Sequence, residues 1–398
     1  VAWSSADTSG ITSSGLALPS PSGAPAQTLA APDAGVFELA IAAGSDGLVR
    51  AWLGLGDYST AGHATAYVPP DAGPLAPGPS GPNIGWGAVI TASSDRLLVV
   101  ANAADTLTWR LTDYDFAVID AGVASMSGAP QQLPALGAGT SGFLATWSER
   151  DPEGKWSLFG RRLTLDGALA GSPFQVSDPG SNALGSSIAF AVGKWAVVWG
   201  DHDYGKAYFK VLDDTGAARA SGELTALGST AHSPHVIADD GRFAVVFVLQ
   251  STGEIYFARY DTNGVPSAPQ RVAQPIEEVS RLRVARGDAG YLVVWQQHGT
   301  SPDVFGARLT TAGASLDPQG FAIAATAEAE LRPDVVWDGA AYLVSFSDYT
   351  FSHFTRVAGT TASPPQALLP MPVRGGNQDI ALTPQPGGVL VTACDTSA

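Results

Sequence analysis

Hydrophobic positions along this chain come in short paired runs separated by turn residues, and the clearest pair lies between Arg332 and Phe346. There Asp334-Val335-Val336-Trp337 and Tyr342-Leu343-Val344-Ser345-Phe346 flank Asp338-Gly339. Two apolar runs around an Asp-Gly pair predict antiparallel strands joined by a tight turn. The phrase returns from Pro234 to Phe247 around Asp240-Gly241, and more loosely from Leu282 to Trp295 and from Ser187 to Trp199. One hairpin, repeated, is the unit of this chain.

The last large or central residue of each second strand serves as an anchor for the repeat. Trp3, Trp52, Ala101, Trp147, Trp199, Phe247, Trp295, Phe346 and Ala393 follow one another at steps of 46 to 52 residues. A period of roughly 40–50 residues matches four-stranded propeller units and exceeds leucine-rich or ankyrin repeats. A third strand follows each hairpin, clearest at Trp156 to Leu163, Glu254 to Tyr260 and Asp303 to Leu309. Turns at Asp166-Gly167, Asn263-Gly264 and Ala312-Gly313 lead to a fourth. No segment carries a helical apolar stripe, so the expected class is all-β.

Four-stranded units bury both faces only by stacking, and closing the stack into a ring leaves short, protected edges. The expectation is a single β-propeller domain over residues 1–398 with eight blades, or seven as the alternative. The eighth blade would be built from both chain ends, residues 1–30 together with 375–398. Gly10 to Leu16 and Gln27 to Leu29 would supply its outer strands, and the hairpin ending at Ala393 its inner ones. Val1-Ala2-Trp3 competes with that hairpin for one place.

Tyr291-Leu292-Val293-Val294-Trp295 and Asp303-Val304-Phe305-Gly306-Ala307-Arg308-Leu309 resemble the repeats of exported bacterial β-propellers in the broad WD40, Kelch and TolB-like group. The likeness covers Trp147 to Phe346 well, while Trp-Asp and Gly-His signatures are absent from the first third. Members of such groups include scaffolds, lectins, hydrolases and lyases. The resemblance therefore implies architecture and carries no functional residue across.

Composition narrows the partners. The 398 residues include 37 acidic against 21 basic side chains, a net charge of -16 that repels phosphate backbones and anionic lipid surfaces. No nucleic acid and no membrane insertion are expected, and no run of about 18 apolar residues exists. A single cysteine, Cys394, rules out an internal disulfide framework and a cysteine zinc cage; it reads as a small buried residue. Val1 opens the chain without a leader, and scarce Lys with abundant Gly, Ser, Thr and Ala suits a secreted or cell-surface protein. A monomer is expected.

Loops at the channel mouth are where a propeller carries chemistry, since loops on a rigid scaffold bear function. Those after the anchors contain Glu149, Asp151, Asp201, His202, Asp203, Tyr204, His298 and Tyr349, and those before the hairpins contribute His232, Arg281 and Arg332. His202, Tyr204, His232, His298 and Tyr349 are the binding candidates. Twelve residues before each anchor, at the start of the innermost strand, stand Ala40, Val89, Ala135, Ser187, His235, Arg283, Asp334 and Ala381. Four successive units thus place Ser, His, Arg and Asp at one rim position. A convergent polar set supports acid-base work, with His235 as base and Arg283 as clamp. The plainer reading is that such residues hold channel water.

Asp201-x-Asp203 and Glu149-x-Asp151 space oxygen ligands as calcium loops do, although neither completes an EF-hand. No cofactor is required, and Ca2+ is the one metal considered. Gly137-x-Gly139-x-x-Gly142 runs into a strand, with no helix to receive a pyrophosphate. Trp147, Trp199 and Trp295 read as packing residues, whereas Trp86, Trp109 and Trp156 stand at unrepeated positions and read as exposed contacts. The functional expectation is a non-enzymatic binding or scaffold propeller that recognises a glycan or surface protein. The alternative is a hydrolase or lyase acting on a polysaccharide or ester at the same mouth.

Overall fold

The computed structural model describes residues 129–369 apart from 179–180, 202–204, 338 and 349–351. Elsewhere it describes the backbone of strands and a few side chains between residues 91 and 123. Among the described residues every regular element is a strand. Gln131–Ala138, Gly142–Arg150, Trp156–Thr164 and Leu169–Gln175 pair in chain order as one four-stranded antiparallel sheet. The same meander restarts at Ala183–Ala191, Ser229–Asp239, Val279–Gly287 and Leu331–Trp337. Another precedes them from Trp86–Ala92 to Val118–Val123. From Trp86–Ala92 through Leu331–Trp337, the first strand of each sheet packs against the first strand of the next. Sheets stacked through their first strands are arranged as propeller blades are.

Local chemistry produces this meander. Asp240 and Gly241 take φ of 43° and 74°, the pair of positive values a two-residue type I′ turn requires, and Asp239 sits opposite Arg242 across it. Gly167, Gly264 and Gly313 take φ of 86°, 81° and 88° at the expected later turns.

Anchor residues are core. Trp147, Phe247 and Trp295 are fully buried, and Trp199 and Phe346 nearly so. Each lies opposite a ring on the third strand: Trp147 on Phe159, Trp199 on Tyr208, Phe247 on Tyr256, Trp295 on Phe305 and Phe346 on His353. Centroid separations are 5.3 to 6.4 Å and interplanar angles 16° to 23°. Repeating one stacked cross-strand pair in five sheets fixes one register in all of them. The exposed contact expected at Trp109 is corrected: its ring is only 3% exposed, packed with Leu98, Val100 and Trp147. Trp156 is half-buried with the Arg150 guanidinium over its ring, and the Trp86 side chain lies outside the described residues.

At the hairpin-turn end, a polar knot ties two sheets. The Asp239 carboxylate accepts from Arg259 Nε at 2.8 Å, Arg286 Nη1 at 2.7 Å and the Tyr291 hydroxyl at 2.8 Å. Arg259 Nη2 also donates to Tyr291 and to the Thr311 carbonyl.

The chain ends pair otherwise than expected. Gly10–Leu16 lies between Ala2–Asp7 and Gln27–Leu29, while the hairpin Gln378–Gln385 with Gly388–Asp395 joins Val36–Ala43. Loop closure gives the reason. A strand two residues away from Gly10–Leu16 meets it at far lower entropic cost than one at the opposite end of the chain. Ala2–Asp7 thus takes the neighbouring place for which it competes.

Two outcomes follow for stability. Trp295→Ala is expected to lower unfolding free energy by about 3–5 kcal/mol in denaturant melts, since it leaves a cavity among fully buried neighbours. Asp239→Ala is expected to cost about 3–5 kcal/mol by stranding Arg259 and Arg286 without their shared carboxylate; a loss below 1 kcal/mol in the same melts would contradict the knot.

Candidate functional site

Strand register aligns the rim position. Ala135, Ser187, His235, Arg283 and Asp334 lie opposite Thr146, Val198, Val246, Val294 and Ser345, each the residue just before an anchor. Just ahead of each, the first strand carries one residue more than its partner, a β-bulge. Two residues before the rim position the backbone is left-handed: Leu133, Gly185, Ser233, Arg281 and Arg332 take φ of 52°, 64°, 50°, 53° and 55°. Only Gly185 is the residue type that conformation favours. The bulge is thus imposed by the repeat and not by local preference.

The four polar rim residues form a chain of contacts between sheets. The Ser187 hydroxyl accepts from Val236 N–H at 3.2 Å and donates to the Val236 carbonyl at 3.3 Å. One sheet further, Val284 N–H donates to His235 Nδ1 at 3.4 Å. Arg283 then reaches Asp334 at 3.7 Å and donates to its own strand at the Leu282 carbonyl. Asp334, 7% exposed, accepts from Val335 N–H. The four residues thus stand at one register position of successive sheets, and Ser187, His235 and Arg283 each reach toward the next sheet.

Electrostatics follow from that placement. Burial, followed by the positive charge of Arg283, holds the His235 imidazole well below its ordinary pKa. The neutral ring accepts through Nδ1, so its proton resides on Nε2. In this tautomer His235 offers a donor, whereas a general base needs a lone pair. Opposite Asp334, the fully buried Ser345 hydroxyl has no hydrogen-bond partner.

Binding candidates divide. His232 Nδ1 lies 3.1 Å from the Ser233 hydroxyl, and burial lowers its pKa while Glu278 opposes the shift. His298 Nε2 lies 2.8 Å from the Ser280 hydroxyl, with its backbone N–H on the Glu278 carbonyl. His232, Glu278 and His298 thereby share one part of the loop face. His202, Tyr204 and Tyr349 lie outside the described residues. A histidine that sequence reasoning left out is His353, whose Nε2 lies 2.6 Å from Asp348 Oδ2. Its signal was legible: His353 occupies the place where the other sheets carry Phe or Tyr.

For calcium, Glu149 Oε2 accepts from the Trp147 indole at 3.2 Å and from Gln131 at 3.4 Å. Asp151 Oδ1 accepts from Lys155 N–H and closes its turn. Asp201 is 5% exposed, and Asp203 lies outside the described residues. Among the described residues no three His, Cys, Asp or Glu side chains converge.

His235 supplies a pH test. With a folded pKa below the unfolded one, its contribution to stability is present above about pH 6.5 and is lost as pH falls toward the folded value. His235→Gln keeps an acceptor for Val284 N–H without titrating. Melting curves of the variant are expected to fall less than wild type between pH 7 and pH 5; parallel curves would show that His235 is not held neutral.

Among known proteins, no family model matches the chain, and no curated protein matches it either. Solved structures do. AztD from Citrobacter koseri is similar at 10% identity and a TM-score of 0.54, covering 97% of this chain and 96% of that one. A puromycin-hydrolyzing peptidase from Mycobacterium tuberculosis is similar at 13% identity and a TM-score of 0.53 over 84% of this chain, which spans 53% of the peptidase. At these identities the likeness is one of fold. It supports a β-propeller architecture for this chain without placing it in a specific family.

Proposed function

We propose that this chain is a non-enzymatic binding propeller, exported to the cell surface or medium, that recognises a glycan or a surface protein through the loop face around its channel mouth. The carrying observation is how the polar rim is used. Ser187 and His235 spend their hydrogen bonds on backbone groups of the adjoining sheets, and Arg283 faces Asp334. Within this set no nucleophile is hydrogen-bonded to a base, the arrangement covalent catalysis calls for. What varies from sheet to sheet at the mouth is the bulge side chain, Leu133, Gly185, Ser233, Arg281 and Arg332 in turn. Two adjacent arginines beside three uncharged positions suit one asymmetric, polar or anionic ligand better than identical copies of one pocket.

The same proposal takes the chain as a single closed, monomeric ring. The expected count of eight blades becomes seven if the last hairpin and the strands from Val36–Ala43 to Pro77–Gly81 form one blade, as their pairing favours, and the sheet of Ala2–Asp7, Gly10–Leu16 and Gln27–Leu29 is not a blade of its own.

A glycan array and a surface-protein pull-down, each read with wild type and with Arg281→Ala/Arg332→Ala, test the binding reading. Saturable binding is expected, weakened at least tenfold in the double variant. Turnover of a polysaccharide or ester library by wild type, lost in His235→Ala, would overturn it in favour of a hydrolase or lyase.

A further inference from the structure

Two carboxyl groups meet between the sheets that begin at Val279–Gly287 and Leu331–Trp337. Glu330, in the connection that enters Leu331–Trp337, is 2% exposed, and its backbone N–H donates to the Pro302 carbonyl at 2.7 Å. That bond brings it beside Asp303, the first residue of Asp303–Thr310 in the preceding sheet. The Asp303 carboxylate lies close enough to act on the Glu330 carboxyl, and Asp303 Oδ1 is buried with no donor on it. Glu330 in turn holds its own connection in place, accepting from Thr326 N–H at 3.2 and 3.3 Å and from the Thr326 hydroxyl.

Two ionised carboxylates cannot face each other in a buried place without a large penalty, and a lone acceptor there has no water to turn to. One proton between them removes both costs, since it neutralises one group and gives Asp303 Oδ1 a donor. We propose that Asp303 and Glu330 share one proton, and that its loss releases the 325–330 connection from the preceding sheet. The step is proton transfer alone: the O–H bond of the pair breaks and the proton leaves to solvent.

The surrounding groups agree with the direction. Burial, and after it Asp303, raise the Glu330 pKa, opposed by the Thr326 bonds. On its own segment stand Glu328, whose N–H bonds the Thr326 hydroxyl, and Arg332, whose N–H bonds Gln296. Across the ladder from Asp303 lies the neutral Gln297. A carboxyl whose folded pKa is raised stabilises the fold below its unfolded value and ceases to as pH climbs through the folded one. The connection is therefore clamped in acid and loosened toward neutral and alkaline pH. Its far end is the Arg332 bulge beside the rim.

The test uses the full chain as wild type, Asp303→Asn and Glu330→Gln, melted from pH 5 to pH 8. Wild type is expected to lose roughly 2–4 °C more than Asp303→Asn over that range, with protease cleavage within 325–330 rising in step. Parallel pH profiles in all three proteins would overturn the shared proton. Should the variants not fold, carboxyl-carbon NMR of glutamate-labelled wild type decides, and a Glu330 midpoint within or below the ordinary glutamate range overturns it. Millimolar calcium that raises the wild-type melting temperature, and not that of Asp303→Asn, would show that a cation fills the gap instead.

Discussion

At the rim position, the first strand of each sheet from Gln131–Ala138 to Leu331–Trp337 has a hydrogen-bonding ladder on one side only, and the groups near the mouth answer to that open edge. Unpaired backbone groups are costly where water is scarce. In this chain the neighbouring sheet supplies partners through side chains at one register position. Ser187 covers both backbone groups of Val236, and His235 covers the N–H of Val284. Ser148 and Gln296 perform a related service for the bulge, accepting from Gly185 N–H at 3.2 Å and Arg332 N–H at 2.9 Å. Ser187, His235 and Arg283, which form a polar row along the sequence, thus also bond across the seams between sheets.

Seams and cores divide the labour. Between sheets, apolar clusters such as the one joining Ala244, Val246 and Phe257 with Val284, Val293 and Trp295 provide bulk attraction without direction. Direction comes from the stacked pair on the second and third strands, which sets register within a sheet, and from the rim bonds and the Asp239 knot, which set one sheet against the next. Such a frame is rigid where it repeats. Individuality is left to the loops and bulges, where the left-handed position is Leu133, Gly185 and Ser233 in three sheets and arginine, Arg281 and Arg332, in the next two.

Much of this was legible in the sequence because it is local. The Asp240-Gly241 turn, the anchor aromatics and the spacing of the rim position each depend on residues a few positions apart or on one repeated step. The bulge was missed, although it leaves a trace: Ala231 and Val236 lie in one core cluster, and Val279 and Val284 in another. Their odd spacing is incompatible with simple alternation. The Asp239 knot left no such trace, since Arg286 and Tyr291 reach it from the next repeat. The chain ends were misjudged for a physical reason too, because hydrophobic pattern says which segments are strands and is silent about which of two equivalent partners is nearer.

His353 shows how function could enter such a frame. In four sheets the ring stacked on the anchor is Phe or Tyr, and packing alone accounts for it. Replacing that ring with imidazole keeps the stack on Phe346 at 5.3 Å and adds two nitrogens that must be satisfied at the end of the third strand. Asp348 meets one of them. A repeat protein that needs a polar, oriented group on its loop face has few cheap places to put one. A core position at the edge of the stack is among them, because the neighbouring ring already fixes the plane of the substituent. The rim and the stack then differ in kind: at the rim polarity closes the fold, and at His353 the fold holds polarity in a chosen direction.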